Sequence, residues 1–350
     1  MLAVLALVAG CEPATDQAAE ASHKVDALFA PFTEGRQPGA AVMVIRNGKV
    51  VHQAGYGYAD LDTGTPITPQ SAFRLASVSK QFTAMAIVAL AEDGVLDYDD
   101  PVSDWLPALS AYDGVTIRHL LSHTGGYPDY YDILDTSRGM PTTADAMTHL
   151  AAIGEPVFPP GERYEYSNPG YEMLALIVEA ASGKDFATFM RERVFDPAGM
   201  PGARIFDETE PELPTRVIGY DAEGANFVEN DYDPLNHIVG SGGTYASLDD
   251  FYGWDRALDS DAIVSQAAIA EAFTPVALNN GESTGYGFGW TIDDYRGMRR
   301  VRHGGSWVGF RTHIARYPDD ALSIVVLTNR SDGAPERYID PLTDIYLGTE

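Results

Sequence analysis

The sequence predicts an α/β fold: one antiparallel sheet flanked by helices, with an all-helical stretch inserted between its first and last strands. Three observations predict it. Residues 40–45 are a run of β-formers, Asn47-Gly48 supplies the pair that tolerates positive φ, and Val50-Val51-His52 resumes the run, which is the pattern of a hairpin. Residues 285–292, 299–303, 310–317 and 322–327 alternate β-formers with turn residues such as Arg296-Gly297 and Asp319-Asp320, an antiparallel meander. Between the two, from Ser77 to about Gly199, the apolar spacing is largely helical.

Each element has its own signal. After Ser77, residues Phe82, Met85, Ala86, Val88 and Leu90 recur on or near one helical face and Gly94 stands at the expected end. That places Ser77 at a helix N-terminus and Lys80 one turn on. Residues 117–122, 144–153, 171–181 and 185–194 also read as helices. The closing segment, 337–347, is helical in pattern and is expected to pack on the sheet beside a helix at 25–29. One domain is expected over residues 23–350, its sheet part at about 23–76 and 200–350 and its helical part at about 77–199. No internal repeat or heptad pattern favours another architecture.

Composition narrows the function classes. The chain has 350 residues, 45% of them hydrophobic, enough to bury a full core. Its 51 acidic and 23 basic residues leave a formal charge of −28, which repels a phosphate backbone, so no nucleic-acid partner is expected. The eight histidines show no metal-ligand spacing, and His123 stands among glycines rather than carboxylates. Gly285-x-Gly287-x-Gly289 and Gly304-Gly305 are followed by strands rather than a helix, and no Gly-Lys-Ser/Thr occurs, so neither a metal nor a nucleotide cofactor is implied.

The single cysteine, Cys11, closes a short apolar run, and Leu7-Val8-Ala9-Gly10-Cys11 resembles the bacterial lipobox, in which the cysteine is lipidated. The run is too short to span a bilayer, which needs about 20 helical residues, so residues 1–11 read as a signal segment and 12–22 as a tether. No Lys or Arg precedes Lys24, a departure from the usual basic opening of such segments. The reading places the chain on a bacterial envelope, periplasm-facing and held to the membrane by a lipid on Cys11.

Three short motifs carry chemistry. Ser77-Val78-Ser79-Lys80 sets an amine three residues from a hydroxyl, over the same helical face, the spacing of a nucleophile and its base. Tyr166-Ser167-Asn168 stands between Pro159-Pro160-Gly161 and Pro169-Gly170-Tyr171, so a phenol and an amide are offered on a rigid loop entering a helix. His303-Gly304-Gly305, continuing into Ser306, lies on an expected strand whose glycines let a substrate backbone approach. Each has a plainer reading when taken alone: Ser77 or Asn168 as a helix cap, Tyr166 as a wedge under a loop, His303 as structural.

Taken in order, these motifs resemble the serine β-lactamase and penicillin-binding protein superfamily, in its class C β-lactamase-like branch. Phe73-Arg74-Leu75-Ala76, Leu120-Leu121-Ser122-His123-Thr124-Gly125-Gly126 and Gly240-Ser241-Gly242-Gly243 extend the resemblance over residues 25 to 345. It implies a β-lactamase-like α/β sandwich with the site between sheet and helices, and a serine hydrolase working through a covalent acyl-enzyme. Ser77 is then the nucleophile, Lys80 and Tyr166 its proton handlers, Asn168 and His303 substrate contacts, and the N–H groups of Ser77 and Ser306, beside Gly305, an oxyanion hole. Whether Lys80 or Tyr166 takes the first proton stays open. Dedicated β-lactamases of this branch carry Lys-Thr-Gly where this chain has His303-Gly304-Gly305, a form more like D-amino-acid peptidases and esterases. A small ester, amide or peptide substrate is therefore expected ahead of a β-lactam, with a protonated His303 or Arg302 standing in for the missing lysine. The alternative is a penicillin-binding sensor that is acylated without turnover.

Overall fold

The structure, a computed structural model, describes residues 13–131, 134, 136–205, 213, 215–224 and 226–348. Its sheet has six strands: β1 (Ala40–Arg46), β2 (Lys49–Tyr56), β3 (Thr291–Tyr295), β4 (Met298–Trp307), β5 (Phe310–Tyr317) and β6 (Leu322–Thr328). They run antiparallel in the order β3-β4-β5-β6-β1-β2. β1 is the seam, with Val42 opposite Ala54 of β2 on one side and Val326 of β6 on the other. The N-terminal hairpin and the C-terminal meander thus share one sheet, and Asn47 and Gly48 turn the hairpin with φ of 51° and 69°.

The helices that matter for the site are α1 (Pro13–Phe29), α2 (Lys80–Glu92), α3 (Asn168–Ser182), α4 (Leu248–Leu258) and α5 (Glu336–Leu347). Successive residues of a strand point to opposite faces, and here both faces are covered. Val42, Val44, Ile324 and Val326 pack under α1 and α5 with Val25, Phe29, Ile339 and Leu342. Ala41, Met43, Val325 and Leu327 face the helical body, where Phe82, Met85, Leu174, Ile177 and Trp254 continue the larger core. Residues 80 to 90 of α2 are all buried, so this helix runs through the interior and carries Lys80 with it.

Three sequence expectations are corrected. The segment read as a tether enters a helix at Pro13 that runs unbroken to Phe29, because its Ala- and Glu-rich composition favours helix and Val25 and Phe29 dock on the sheet. Cys11 lies outside the described residues. Of the strand expected at 285–292 only Thr291 onward pairs with β4, since Gly285 and Gly289 take left-handed φ and bend the chain against α2. The helix expected at 185–194 is α-helical over Phe186–Phe189 and widens to a π-helix over Met190–Phe195. Among the described residues no helix is long and apolar enough to cross a membrane.

A buried ion pair fixes α4 to the sheet. Arg316 of β5 donates through Nε to Asp255 Oδ1 at 3.0 Å, with both side chains under a tenth exposed, and Ser323 of β6 donates to the same carboxylate. Removing Asp255 leaves the buried Arg316 guanidinium with the more exposed Asp259, at 2.8 Å, as its remaining acidic partner. Asp255→Ala should lower unfolding free energy by about 3–5 kcal/mol, read by urea denaturation. A loss under about 1 kcal/mol, the range of surface pairs, would contradict this role.

Candidate active site

Ser77 is half-buried in a run from Ser71 to Leu90 whose other residues are all buried. It lies at the helix N-terminus expected from sequence, in a 3₁₀ turn, Ala76–Ser79, that runs directly into α2 at Lys80. The turn is forced by its entry. The two-residue strand Phe73–Arg74 pairs with Tyr245 and Ala246, Leu75 N–H donates to Thr244 O, and Ala76 then takes a left-handed φ of 49°. A non-glycine residue there costs on the order of 1–3 kcal/mol and persists only where its surroundings over-determine it. Thr312 of β5 supplies part of that restraint by donating to Leu75 O at 2.7 Å.

Lys80 is fully buried, and its amine meets four groups. Nζ lies 3.3 Å from Ser77 Oγ and donates to Asn168 Oδ1 at 2.7 Å and to Ser241 O at 2.9 Å. It also sits 4.8 Å from the centre of the Tyr166 ring. Burial pushes its pKa down to about 7, against the pull of Glu172 in the other direction. At neutral pH a large share of Lys80 is therefore a free amine beside a hydroxyl.

Tyr166 shifts the opposite way. Its side of the ring at the mouth leaves the residue 41% exposed, but the phenol reaches inward to Ser77, and burial raises its pKa well beyond the usual tyrosine value while the hydrogen bond with Ser77 lowers it. Tyr166 thus stays a neutral O–H donor. Its loop is anchored by His123, another left-handed residue at φ 59°, whose buried ring stacks 4.3 Å from Tyr166 and accepts from Ser167 N–H at Nδ1. Ser167 caps α3 by accepting from Gly170 N–H, which fixes Asn168 in the first turn.

β4 forms the facing wall. A Cβ placed on Gly305 would fall 2.3 Å from Leu75 O, 2.5 Å from Thr312 Oγ1 and 3.1 Å from Ser77 N, so only glycine lets the strand lie against the nucleophile turn. Ser306 follows it, lining with Ala76, Ser77, Asn168, Tyr131, Leu235, Ile238 and Trp307 a narrow cleft of about 50 Å³. A larger cavity of about 540 Å³ lies against Phe186, Arg191, Arg204 and His237, and no residue of the Ser77 cluster reaches it.

Neither expected stand-in for a lysine on β4 serves as one. His303 is buried, its Nε2 2.9 Å from Tyr286 OH, and burial beside Lys80 drives its pKa down to about 3, so it is neutral. Arg302 alternates to the other side of the strand, where Nε pairs with Asp293 at 2.8 Å. Arg74 also lines the cleft, but it is 3% exposed, with its guanidinium on the Tyr245 ring and Nε donating to Tyr245 OH.

The structure adds groups that sequence reading did not single out. Glu172, one turn beyond Asn168 on α3, is fully buried and accepts from Tyr131 OH and Ser241 Oγ. Its spacing of four from Asn168 is the one signal that could have drawn it in. Tyr286, which holds His303, comes from the glycine-broken segment and has no such signal. Among the described residues no cluster of three or more His, Cys, Asp or Glu could hold a metal ion.

A reactive hydroxyl, a desolvated amine and a phenol, set between an antiparallel sheet and a helical body, define a serine hydrolase. The Beta-lactamase family description matches residues 25–347, and the chain belongs to that family. It is 36% identical to penicillin-binding protein 4* of Bacillus subtilis (strain 168), over 87% of this chain and 71% of that protein. It is 31% identical to a D-aminopeptidase of Brucella anthropi, over 85% of this chain but only 57% of the relative's length. Among solved structures, a penicillin-binding protein from Bacillus halodurans superposes with a TM-score of 0.79 at 31% identity, covering 91% of this chain and 98% of that one.

The close seat of Gly305 makes a direct prediction. Gly305→Ala should push β4 off the Ser77 turn, cutting esterase kcat/KM by on the order of 100-fold while costing about 1–3 kcal/mol of stability. Unchanged kinetics would show that the strand does not set the nucleophile's surroundings.

Proposed function

We propose that the protein hydrolyses small D-aminoacyl amides, peptides or esters through an acyl-enzyme on Ser77. The observation that carries the reading is the convergence of Ser77, Tyr166 and Asn168 on one fully buried amine, Lys80. In the first step neutral Lys80 takes the Ser77 proton as Oγ attacks the carbonyl. The N–H groups of Ser77 and Ser306 receive the oxyanion, an arrangement in which a single donor is worth about 3 kcal/mol. Tyr166, still protonated, gives its proton to the departing amine or alcohol and is reprotonated from Lys80. Water then enters and attacks the acyl carbonyl, giving its proton to the same pair, and that proton passes to Ser77 Oγ as the Oγ–acyl bond breaks and the acid leaves.

The substrate class is supported by charge. With His303 neutral and Arg302 on the far side of β4, no cation on that strand meets a substrate carboxylate of the kind a β-lactam carries. Asp129 and Asp233 act electrostatically on Tyr131 at the cleft wall, and carboxylates so placed favour a substrate bearing a free ammonium. The D-aminopeptidase relatives are in keeping with this. A lipid on Cys11, holding the enzyme on the periplasmic side of a bacterial envelope, belongs to the same proposal and rests on the Leu7-Val8-Ala9-Gly10-Cys11 run. Palmitate labelling in the native host should be present in the wild type and absent in Cys11→Ala; label in neither would remove the anchor.

The test is intact-protein mass spectrometry of the Cys11→Ala protein after exposure to a fluorophosphonate, a penicillin, a short-chain ester and a D-aminoacyl amide. A single adduct on Ser77 is expected, lost in Ser77→Ala, whose turnover should fall roughly 10⁴-fold or more. The amide or ester should turn over faster than the penicillin. Acylation that accumulates and never clears would instead indicate a sensor, and no adduct at Ser77 would end the hydrolase reading. The pH dependence has a definite sign. Because burial lowers the Lys80 pKa to about 7, kcat/KM should rise as pH increases through that region. It should then hold until Tyr166, whose pKa is raised, loses its proton.

A further inference from the structure

Glu172 is a carboxyl group that the Ser77 chemistry does not use, yet it is built into the same cluster. It is fully buried on α3, immediately after Tyr171, whose ring centre is 5.6 Å from Lys80 Nζ. Ser241 joins the two groups: its carbonyl accepts from Lys80 at 2.9 Å and its hydroxyl donates to Glu172 Oε1 at 2.9 Å. Tyr131, on the cleft wall, donates to the same oxygen, and Oε2 has no hydrogen-bond partner among the described residues. The loop carrying Ser241 reaches this position because Gly240, at φ 101°, lies against α3, where a Cβ would stand 2.4 Å from Tyr171 O and 3.2 Å from Glu172 Cα.

The remaining groups around Lys80 carry no compensating charge. His123 and His303 are both held neutral by burial, and Tyr166, Tyr171 and Tyr286 are phenols whose ionisation burial suppresses. Asp129 is the further acid that acts on Glu172, and it makes the carboxylate harder to form. Glu172 is left as the carboxyl group that, once ionised, answers the buried cation, although burial raises its pKa to about 8.

We propose that Glu172 is a positioning residue that, linked to Lys80 through Ser241, sets the proton count of the nucleophile site, and that Tyr131 connects it to the substrate cleft. When Lys80 accepts the Ser77 proton, the charge that forms is balanced by Glu172 across Ser241. Burial raises the Glu172 pKa and lowers that of Lys80, so the two protonations lie close together and depend on each other. A substrate that moves Tyr131 removes a donor from Glu172 Oε1 and so changes the balance at Lys80. This rests on the acyl-enzyme reading above and deepens it.

The experiment uses the full chain and follows the rate of Ser77 labelling by a fluorescent fluorophosphonate as pH is varied, in wild type, Glu172→Gln, Glu172→Asp and Tyr131→Phe. Gln keeps both acceptor contacts and removes the charge. Without the carboxylate charge, the Lys80-linked inflection on the acid limb should fall by about one to three pH units. Glu172→Asp should restore it toward the wild-type position. Tyr131→Phe, which removes a donor to the carboxylate together with a 3.4 Å contact to Ser241 Oγ, should move it the same way by a smaller amount, and it decides the matter if Glu172→Gln does not fold. Lower rates with an unmoved inflection in these variants would overturn the inference and leave Glu172 a packing group. Absence of Ser77 labelling in the wild type at every pH would instead remove the acyl-enzyme reading beneath it.

Discussion

A lysine amine sealed from water has two ways to avoid the cost of a buried charge: it can give up its proton, or it can find an anion. Lys80 is placed so that both are open. α2 carries it through the interior of the protein, the sheet and α3 close over it, and Glu172 lies across Ser241. Much of the surrounding structure follows from keeping that amine dry and still within reach of Ser77. The left-handed backbone at Ala76 and His123 is part of the arrangement. Each residue sits where a neighbouring element must be brought close, Ala76 under β4 and His123 behind Tyr166.

The opposed shifts of Lys80 and Tyr166 then separate their duties. Both are driven by burial, but burial takes a proton from an ammonium and leaves one on a phenol. One environment thus favours a free amine and a protonated phenol side by side. The same dryness silences His303, which becomes a shape-giving residue held by Tyr286 instead of a cation for an anionic substrate.

Much of this was legible in the sequence because it rests on local spacing. The Asn47-Gly48 hairpin, the alternation in 310–317 and 322–327, and Ser77-x-x-Lys80 with Tyr166-x-Asn168 are patterns that a few adjacent residues write by themselves. What stayed hidden depends on contacts between distant segments. The 3₁₀ turn at Ser77 is imposed by Thr244 and Thr312, far along the chain, and the neutrality of His303 by Tyr286 and Lys80. Arg302 and His303 are neighbours in sequence, yet strand alternation sends one to solvent-side Asp293 and the other to the site. Glu172 reads as one more acid in an acidic chain until Ser241 is brought beside it. The helix at Pro13–Phe29 was obscured for a different reason: an Ala- and Glu-rich stretch suits both a tether and a helix, and only docking on the sheet decides.

The central claim is that Lys80 is a desolvated amine that exchanges its proton near neutral pH. It is tested most directly by labelling lysine with ¹³C at the ε-carbon and following the buried Lys80 signal by NMR as pH is varied. A Lys80 transition near pH 7, far below the ~10.4 of an ordinary lysine, is the predicted result. A Lys80 signal unchanged until pH approaches ~10.4 would show a side chain that stays charged at neutral pH, and the assignment of Lys80 as the base would fail.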